Sequence, residues 1–287
     1  MFVPGNRERF LEKVYELAPA PDAVFFDLED GVIPPEKATA RTMVARALRE
    51  ERPGPLRSVR INAVRTNWFR ADMEAILGGG LEAVCVPKVE SAADLEPVVA
   101  LLDDADPAEA VRIVATIESA AGLLRAAEIA GAHQRILAVM FGAEDYALDL
   151  GLPAKREAEA ADLVYARSAT VVAATAARVL PIDGVFPDLD DREGLLREVV
   201  QARRLGFTAK ATFNPRQVPV INEHFSPTAD ELEYARRVAD AFAEASRRGD
   251  ASVAVGGQLI DPPIVHRAEA LLELAQRLGT GPVAKGT

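Results

Sequence analysis

The sequence predicts an α/β protein, a (β/α)8 TIM barrel followed by a C-terminal helical extension, and three observations carry that expectation. Eight short apolar or β-branched runs alternate with eight amphipathic helical patterns between Phe2 and His224. Strands separated by helices pair in parallel through right-handed crossovers, and eight such units suit a barrel of ~250 residues better than an open sheet. No G-x-G-x-x-G follows a strand, so a dinucleotide-binding sheet lacks its phosphate loop.

The strand runs, in order, are Phe2–Pro4, Ala23–Leu28, Ser58–Asn62, Ala83–Pro87, Val111–Ile117, Ile136–Phe141, Ile182–Phe186 and Phe207–Phe213. The helical patterns that follow them are Arg7–Leu17, Pro35–Arg49, Asn67–Leu77, Ala92–Leu102, Ala120–Ile129, Ala161–Val179, Arg192–Leu205 and Arg216–His224. Gly78-Gly79-Gly80 ends a helical pattern and precedes a strand, which marks a helix stop. The first strand starts at Met1 or Phe2, so it is short or the chain begins upstream. We therefore expect a barrel domain over residues 1–225 and an extension over 226–287 that acts as a lid or a subunit contact. Within the extension, Ser226-Pro227-Thr228 starts a polar helix reaching about Arg248, Ser252–Ile260 is apolar, and Pro262-Pro263 opens a last helix to Leu278.

Composition narrows the function classes. The 287 residues carry 33 Lys+Arg against 44 Asp+Glu, a net charge of −11 that repels polyanions, so nucleic acid is not an expected partner. The single Cys85 makes no intramolecular disulfide and reads as core. No window approaches the ~20 apolar residues of a membrane span, and the N-terminal residues lack a signal-peptide run. The expected location is the cytoplasm.

In a barrel of this kind the chemistry sits at the C-terminal ends of the strands. Polar residues gather there: Asp27, Glu29 and Asp30, Arg60 and Asn62, Lys88, Glu118, Glu144 and Asp145, Asp188 and Asn214. Glu118 and Asp145 close neighbouring strands with no His or Cys beside them, so they are hard oxygen ligands suited to Mg²⁺. The same residues would equally serve as caps of the following helices. Arg60, flanked by Val59 and Ile61, points to the alternate face of its strand. Its fork needs a carboxylate, either a substrate's or one from the Asp27-Leu28-Glu29-Asp30 run. Asn6, Arg7, Arg9 and Lys13 form a basic patch at a helix start, either an anion site or a solvated face. His133, His224 and His266 close no strand, no G-x-S-x-G occurs, and Lys-based Schiff chemistry stays open through Lys88 or Lys210.

Taken together, eight short motifs carry a resemblance. They are Phe2-Val3-Pro4-Gly5-Asn6, Asp27-Leu28-Glu29-Asp30-Gly31, Val59-Arg60-Ile61-Asn62, Val86-Pro87-Lys88-Val89-Glu90-Ser91, Ile117-Glu118-Ser119-Ala120-Ala121-Gly122, Phe141-Gly142-Ala143-Glu144-Asp145, Tyr165-Ala166-Arg167 and Leu259-Ile260-Asp261-Pro262-Pro263. In this order they resemble the citrate lyase beta-subunit-like branch of the HpcH/HpaI aldolase superfamily, close to malyl-CoA and citramalyl-CoA lyases. The resemblance implies a barrel of the phosphoenolpyruvate/pyruvate type, assembled as a homotrimer or homohexamer. It implies Mg²⁺-dependent cleavage or formation of a bond between an acyl-CoA and a 2-oxo acid such as oxaloacetate, glyoxylate or pyruvate.

By the same resemblance, Glu118 and Asp145 ligate Mg²⁺ and Arg60 holds the 2-oxo acid carboxylate. Glu118 and the backbone N–H groups around Ala143 and Glu144 face the substrate, Arg9 and Lys13 contact coenzyme A, and Phe213 and Asn214 line the mouth. Asp261 is the C-terminal aspartate that exchanges a proton with the acyl carbon, from a neighbouring subunit in some members. One departure stands out: the family's histidine near strand eight is Asn214 here, which hydrogen-bonds but does not titrate. Two alternatives share the motifs, a free 2-oxo-acid aldolase without coenzyme A and a citrate lyase beta subunit active only in a complex with an acyl carrier.

Overall fold

The computed structural model describes residues 1–106, 108, 110–153 and 158–279. Its main sheet has eight parallel strands in sequential order: β1 (Phe2–Pro4), β2 (Ala23–Asp27), β3 (Leu56–Arg60), β4 (Ala83–Val86), β5 (Arg112–Ile117), β6 (Ile136–Phe141), β7 (Leu180–Asp183) and β8 (Ala209–Lys210). Helices follow the strands: α1 (Glu8–Lys13), α2 (Lys37–Arg49), α3 (Phe69–Ile76), α4 (Glu96–Ala105), α5 (Ala120–Leu124), α6 (Ala126–Ala130), α7 (Ala143–Asp149), α8 (Val164–Ala176), α9 (Arg192–Leu205) and α10 (Val218–Phe225). This is the alternation the sequence predicts. The sheet is curled, and the Phe2 N–H donates to the Thr212 carbonyl at 2.7 Å, just past β8.

Burial explains why these runs are strands. β4 is buried along its whole length, as expected of a parallel strand covered on both faces. One set of side chains, Phe25, Cys85, Val114, Ala138, Met140 and Ala211, packs together with Phe2, Ile182 and Val185 against it. Cys85 is thus a core residue, its thiol pushed up to about 12 by burial.

The chain divides into two compact units, Met1–Asn222 and Glu223–Thr287. The second contains α11 (Ala229–Arg247), a hairpin of β9 (Val253–Val255) and β10 (Gln258–Ile260), and α12 (Pro262–Arg277). Thr228 and Glu231 form the capping box that starts α11. Ala235, Val238, Ile260, Val265 and Ala268 make this unit's own core.

Three predicted boundaries are corrected. The Phe207–Phe213 run is a strand only at Ala209–Lys210. Beyond it single hydrogen bonds from the Ala211 N–H to the Asp183 carbonyl and from the Phe2 N–H to the Thr212 carbonyl continue, and Thr212 Oγ1, accepting the Asn214 N–H at 3.0 Å, starts the turn that ends the run. The Ala120–Ile129 pattern breaks at Arg125 (φ −112°), whose guanidinium donates to the Glu90 carbonyl. Finally, the helical pattern after β6 starts at Ala161, whereas a helix begins at once at the Ala143-Glu144-Asp145 turn, as α7, whose 7 residues are too few to display a helical period.

Candidate active site

The C-terminal ends of the strands surround a cavity of about 770 Å³. Its wall includes the charged Asp27, Asp30, Arg60, Glu118, Glu144 and Asp145 and the apolar Phe2, Phe10, Val14, Leu17, Met140 and Phe213.

Strand register sets the arginine's partner. Asp27 and Arg60 are opposite each other at the ends of β2 and β3, and the guanidinium grips the carboxylate through Nε (2.8 Å) and Nη2 (2.6 Å). Asp27 also accepts the N–H groups of Glu29 (2.8 Å) and Gly31 (2.9 Å), so both its oxygens are satisfied. A Cβ at Gly31 would lie 2.4 Å from Asp27 Oδ2, so this turn requires glycine. Arg60 Nη1 stands 3.3 Å from Glu29 Oε2, and the guanidinium lies 4.7 Å from the Phe2 ring centroid. Of the alternatives open in the sequence, the internal ion pair is therefore made, while Arg60 still lines the cavity.

A residue not singled out in the sequence holds this corner. Lys37, buried, donates to the carbonyls of Leu28 and Glu29 and to Asn62 Oδ1 at 2.6–2.7 Å. Asn62 in turn donates to the buried Asp72. The only available signal is a lysine at the start of an amphipathic helix, which pattern reads as solvated.

Glu118 follows β5, and Ser119, not Glu118, caps α5 by accepting the Gly122 N–H at 3.1 Å. Glu118 Oε2 is buried and accepts no hydrogen bond, and the same holds for Glu29 Oε2. Burial, followed by the charges of Glu29 and Asp145, pushes the Glu118 carboxyl up to about 8. Its side chain lies against Gly142, where a Cβ would stand 2.3 Å from Glu118 Cγ. Asp145 sits in the first turn of α7, beside Glu144 and Ala143. Among the described residues no group of three or more His, Cys, Asp or Glu forms a complete metal cage. Two carboxylates with an orphaned buried oxygen fit Mg²⁺, which takes one or two protein carboxylates and fills its other positions with water or substrate oxygens.

Lys88 Nζ lies 2.8 Å from Glu29 Oε1, 3.4 Å from Asp30 Oδ2 and 3.9 Å from Asp145 Oδ2. Burial lowers its pKa, but the hydrogen bond and charge of Glu29, with Asp30 and Asp145, outweigh burial and hold it above the ordinary lysine value. Lys210 is buried between Asp183 and Glu198, at 2.7 Å from each. Both lysines are thus engaged by carboxylates, and neither lines the cavity.

Of the other expected site residues, Lys13, Ala143 and Glu144 line the cavity, whereas Arg9 is exposed and absent from its wall. Asn214 is buried as the cap of a 3-10 turn, its Oδ1 accepting the Arg216 N–H at 3.1 Å, and its neighbours Phe213 and Pro215 face the cavity instead. Its Nδ2 has no partner. Asp261 belongs to the second unit and caps α12 through the Ile264 N–H at 3.4 Å.

A parallel eight-stranded α/β fold whose strand ends gather carboxylates around a pinned arginine, with one buried carboxylate oxygen left unpartnered, is the frame of a site suited to a divalent cation. The chain belongs to the HpcH/HpaI aldolase/citrate lyase family, whose model matches residues 1–215, and it is an enzyme of the lyase class. It is 36% identical over 281 residues to citrate lyase subunit beta of Leuconostoc mesenteroides subsp. cremoris, covering 96% of this chain and 92% of that one. It is 37% identical over 279 residues to a (3S)-malyl-CoA thioesterase of Cereibacter sphaeroides, covering 97% and 94%. Protein CitE of Mycobacterium tuberculosis, solved with magnesium, acetoacetate and coenzyme A, superposes with a TM-score of 0.79 at 35% identity, covering 96% of each chain.

Proposed function

We propose that the protein is a Mg²⁺-dependent carbon–carbon lyase that cleaves or forms a 3-hydroxyacyl-CoA, such as a malyl-, citramalyl- or citryl-thioester, giving an acyl-CoA and a 2-oxo acid. The observation that carries this reading is that Glu118 and Asp145, one of their oxygens buried and unpartnered, both line a cavity far larger than a 2-oxo acid. The solved relative that binds magnesium and coenzyme A supports it. The reading includes closure of the eight strands into a barrel and assembly into a homotrimer or homohexamer.

Glu118 and Asp145 would hold Mg²⁺, which when bound supplies Lewis-acid polarisation of the 2-oxo acid oxygens. Arg60, fixed by Asp27, holds the substrate carboxylate with N–H groups left over from that pair. The Ala143 and Glu144 N–H groups, at the start of α7, donate to developing negative charge. In cleavage the hydroxyl would pass its proton to water as its carbon becomes the 2-oxo carbonyl, and the C–C bond electrons would pass to the acyl α-carbon. The resulting enolate would take a proton from Asp261, the residue to which the family resemblance assigns that step, supplied in some members by a neighbouring subunit. Lys13 and Arg9 attract the coenzyme A phosphates.

The test is a panel of malyl-, citramalyl- and citryl-CoA given to the purified chain with Mg²⁺, following 2-oxo acid and free thiol separately. We expect 2-oxo acid without thiol. Glu118→Gln and Asp145→Asn should each weaken Mg²⁺ binding roughly 10–100-fold and abolish turnover with the fold intact; metal binding retained in both would refute the assignment. The thioesterase relative favours a second reading, thioester hydrolysis, which thiol release would reveal. Activity that appears only with added partner subunits would favour a subunit of a complex. Arg9→Ala and Lys13→Ala should weaken apparent thioester affinity, and an unchanged value would count against that patch as the coenzyme A contact.

A further inference from the structure

Lys88 is held where its sequence neighbours alone would not put it. It follows Pro87 at the end of β4 with φ +55°, a left-handed conformation that a lysine rarely adopts. The next N–H, of Val89, is anchored on the Thr116 carbonyl at 3.2 Å, so the turn is fixed from the neighbouring strand. Strain of this kind persists where the surroundings over-determine it, and it concentrates at functional sites.

The turn aims the ammonium into the acidic corner. Its contacts grade from Glu29 (2.8 Å) through Asp30 (3.4 Å) to Asp145 (3.9 Å). Asp27, Glu29, Asp30, Glu118 and Asp145 gather there, and three cations answer them, Arg60, Lys88 and Lys37, the last with its ammonium committed to the Leu28 and Glu29 carbonyls and Asn62. Arg60 spends two hydrogen bonds on Asp27. Lys88 is thus the cation that reaches Asp145, and with its side chain 40% exposed it has room to shift.

We propose that Lys88 is the resident counter-ion of the metal site. It screens Asp145 in the metal-free protein, a divalent cation must take that carboxylate from it, and its charge, retained nearby on Glu29, sets how tightly the metal is held. Lys88 is a positioning residue that touches the ligand carboxylates. The inference rests on the reading of Glu118 and Asp145 as the Mg²⁺ ligands.

The test is calorimetric titration of Mg²⁺ alone into the full chain, without substrate, for wild type, Lys88→Met and Lys88→Arg. Removing a unit charge beside a divalent ion in a partly exposed site should tighten binding about tenfold. Lys88→Arg, which keeps the charge, should stay within about threefold of wild type, and higher salt should narrow the gap. Equal or weaker Mg²⁺ binding by Lys88→Met would overturn the proposal. If that variant fails to fold by circular dichroism, Lys88→Gln takes its place under the same criteria. A folded wild type that binds no Mg²⁺ would instead overturn the metal-site reading, and this inference with it.

Discussion

At the scale of single residues, the site depends on side chains placed by their neighbours' smallness. Glu118 occupies space that any residue but glycine at 142 would fill, since a Cβ there would lie 2.3 Å from Glu118 Cγ and 2.8 Å from Oε1. Gly142→Ala should therefore displace Glu118 and weaken Mg²⁺ binding by roughly tenfold, measured by calorimetry against Glu118→Gln, with the circular dichroism spectrum unchanged. The inward direction of Arg60 was readable from Val59 and Ile61, because strand side chains alternate. Its partner was not, because that depends on which residue of β2 the register sets opposite it. Lys37 was invisible for a related reason: its three acceptors lie on two loops brought together by the fold, and nothing near it in sequence marks it as buried.

At the scale of elements, the last strands are tied by charge. Asp183 at the end of β7 accepts from Arg167 on α8 and from Lys210 on β8, and Lys210 also binds Glu198 on α9. Burial opposes ionisation of Asp183, but Lys210 and Arg167 outweigh it and hold the carboxyl below its usual value. A depressed carboxyl contributes stability at every pH above its unfolded value, and that contribution is lost as pH falls through the folded one. The ordinary value is 3.8, so the loss belongs to strong acid. Lys210→Met removes the buried ammonium that pairs with Asp183 alongside Arg167 and that Glu198 binds. It should cost about 3–5 kcal/mol in urea unfolding at pH 7 and move the acid-unfolding midpoint to higher pH. The alternation of elements was legible from hydrophobic period, whereas α7 and the shortness of β8 were not: one is too short to show a period, and the other's run ends at a turn that a side-chain hydrogen bond starts.

At the scale of the whole molecule, the net charge of −11 conceals a local arrangement. Asp27, Asp30, Glu118, Glu144 and Asp145 all line one cavity, so a divalent ion there lowers electrostatic cost as well as filling a site. Mg²⁺ at a hundredfold its dissociation constant should stabilise the chain by about 2.7 kcal/mol. The melting temperature should then rise by roughly 5 °C or more by calorimetry, and Asp145→Asn should abolish most of that rise. Among the described residues no helix is long and apolar enough to cross a membrane. In the C-terminal unit Ser226-Pro227-Thr228 and Pro262-Pro263 mark the starts of α11 and α12, while the unit's own core is not legible from those signals.

What the sequence by itself determined was periodic or local: the eight strand–helix units, the polar residues at their ends, the helix starts in the extension and the motifs of an aldolase and lyase family. These signals survive in one dimension because burial repeats every second or fourth residue and caps act within a turn. What only the tertiary structure decided was partnership. It paired Arg60 with Asp27, left Glu118 without a donor, buried Lys37 and swung Lys88 toward Asp145. Each depends on the register and curl of strands distant in sequence, and a charge does not record in its own neighbourhood which opposite charge the sheet will bring to it.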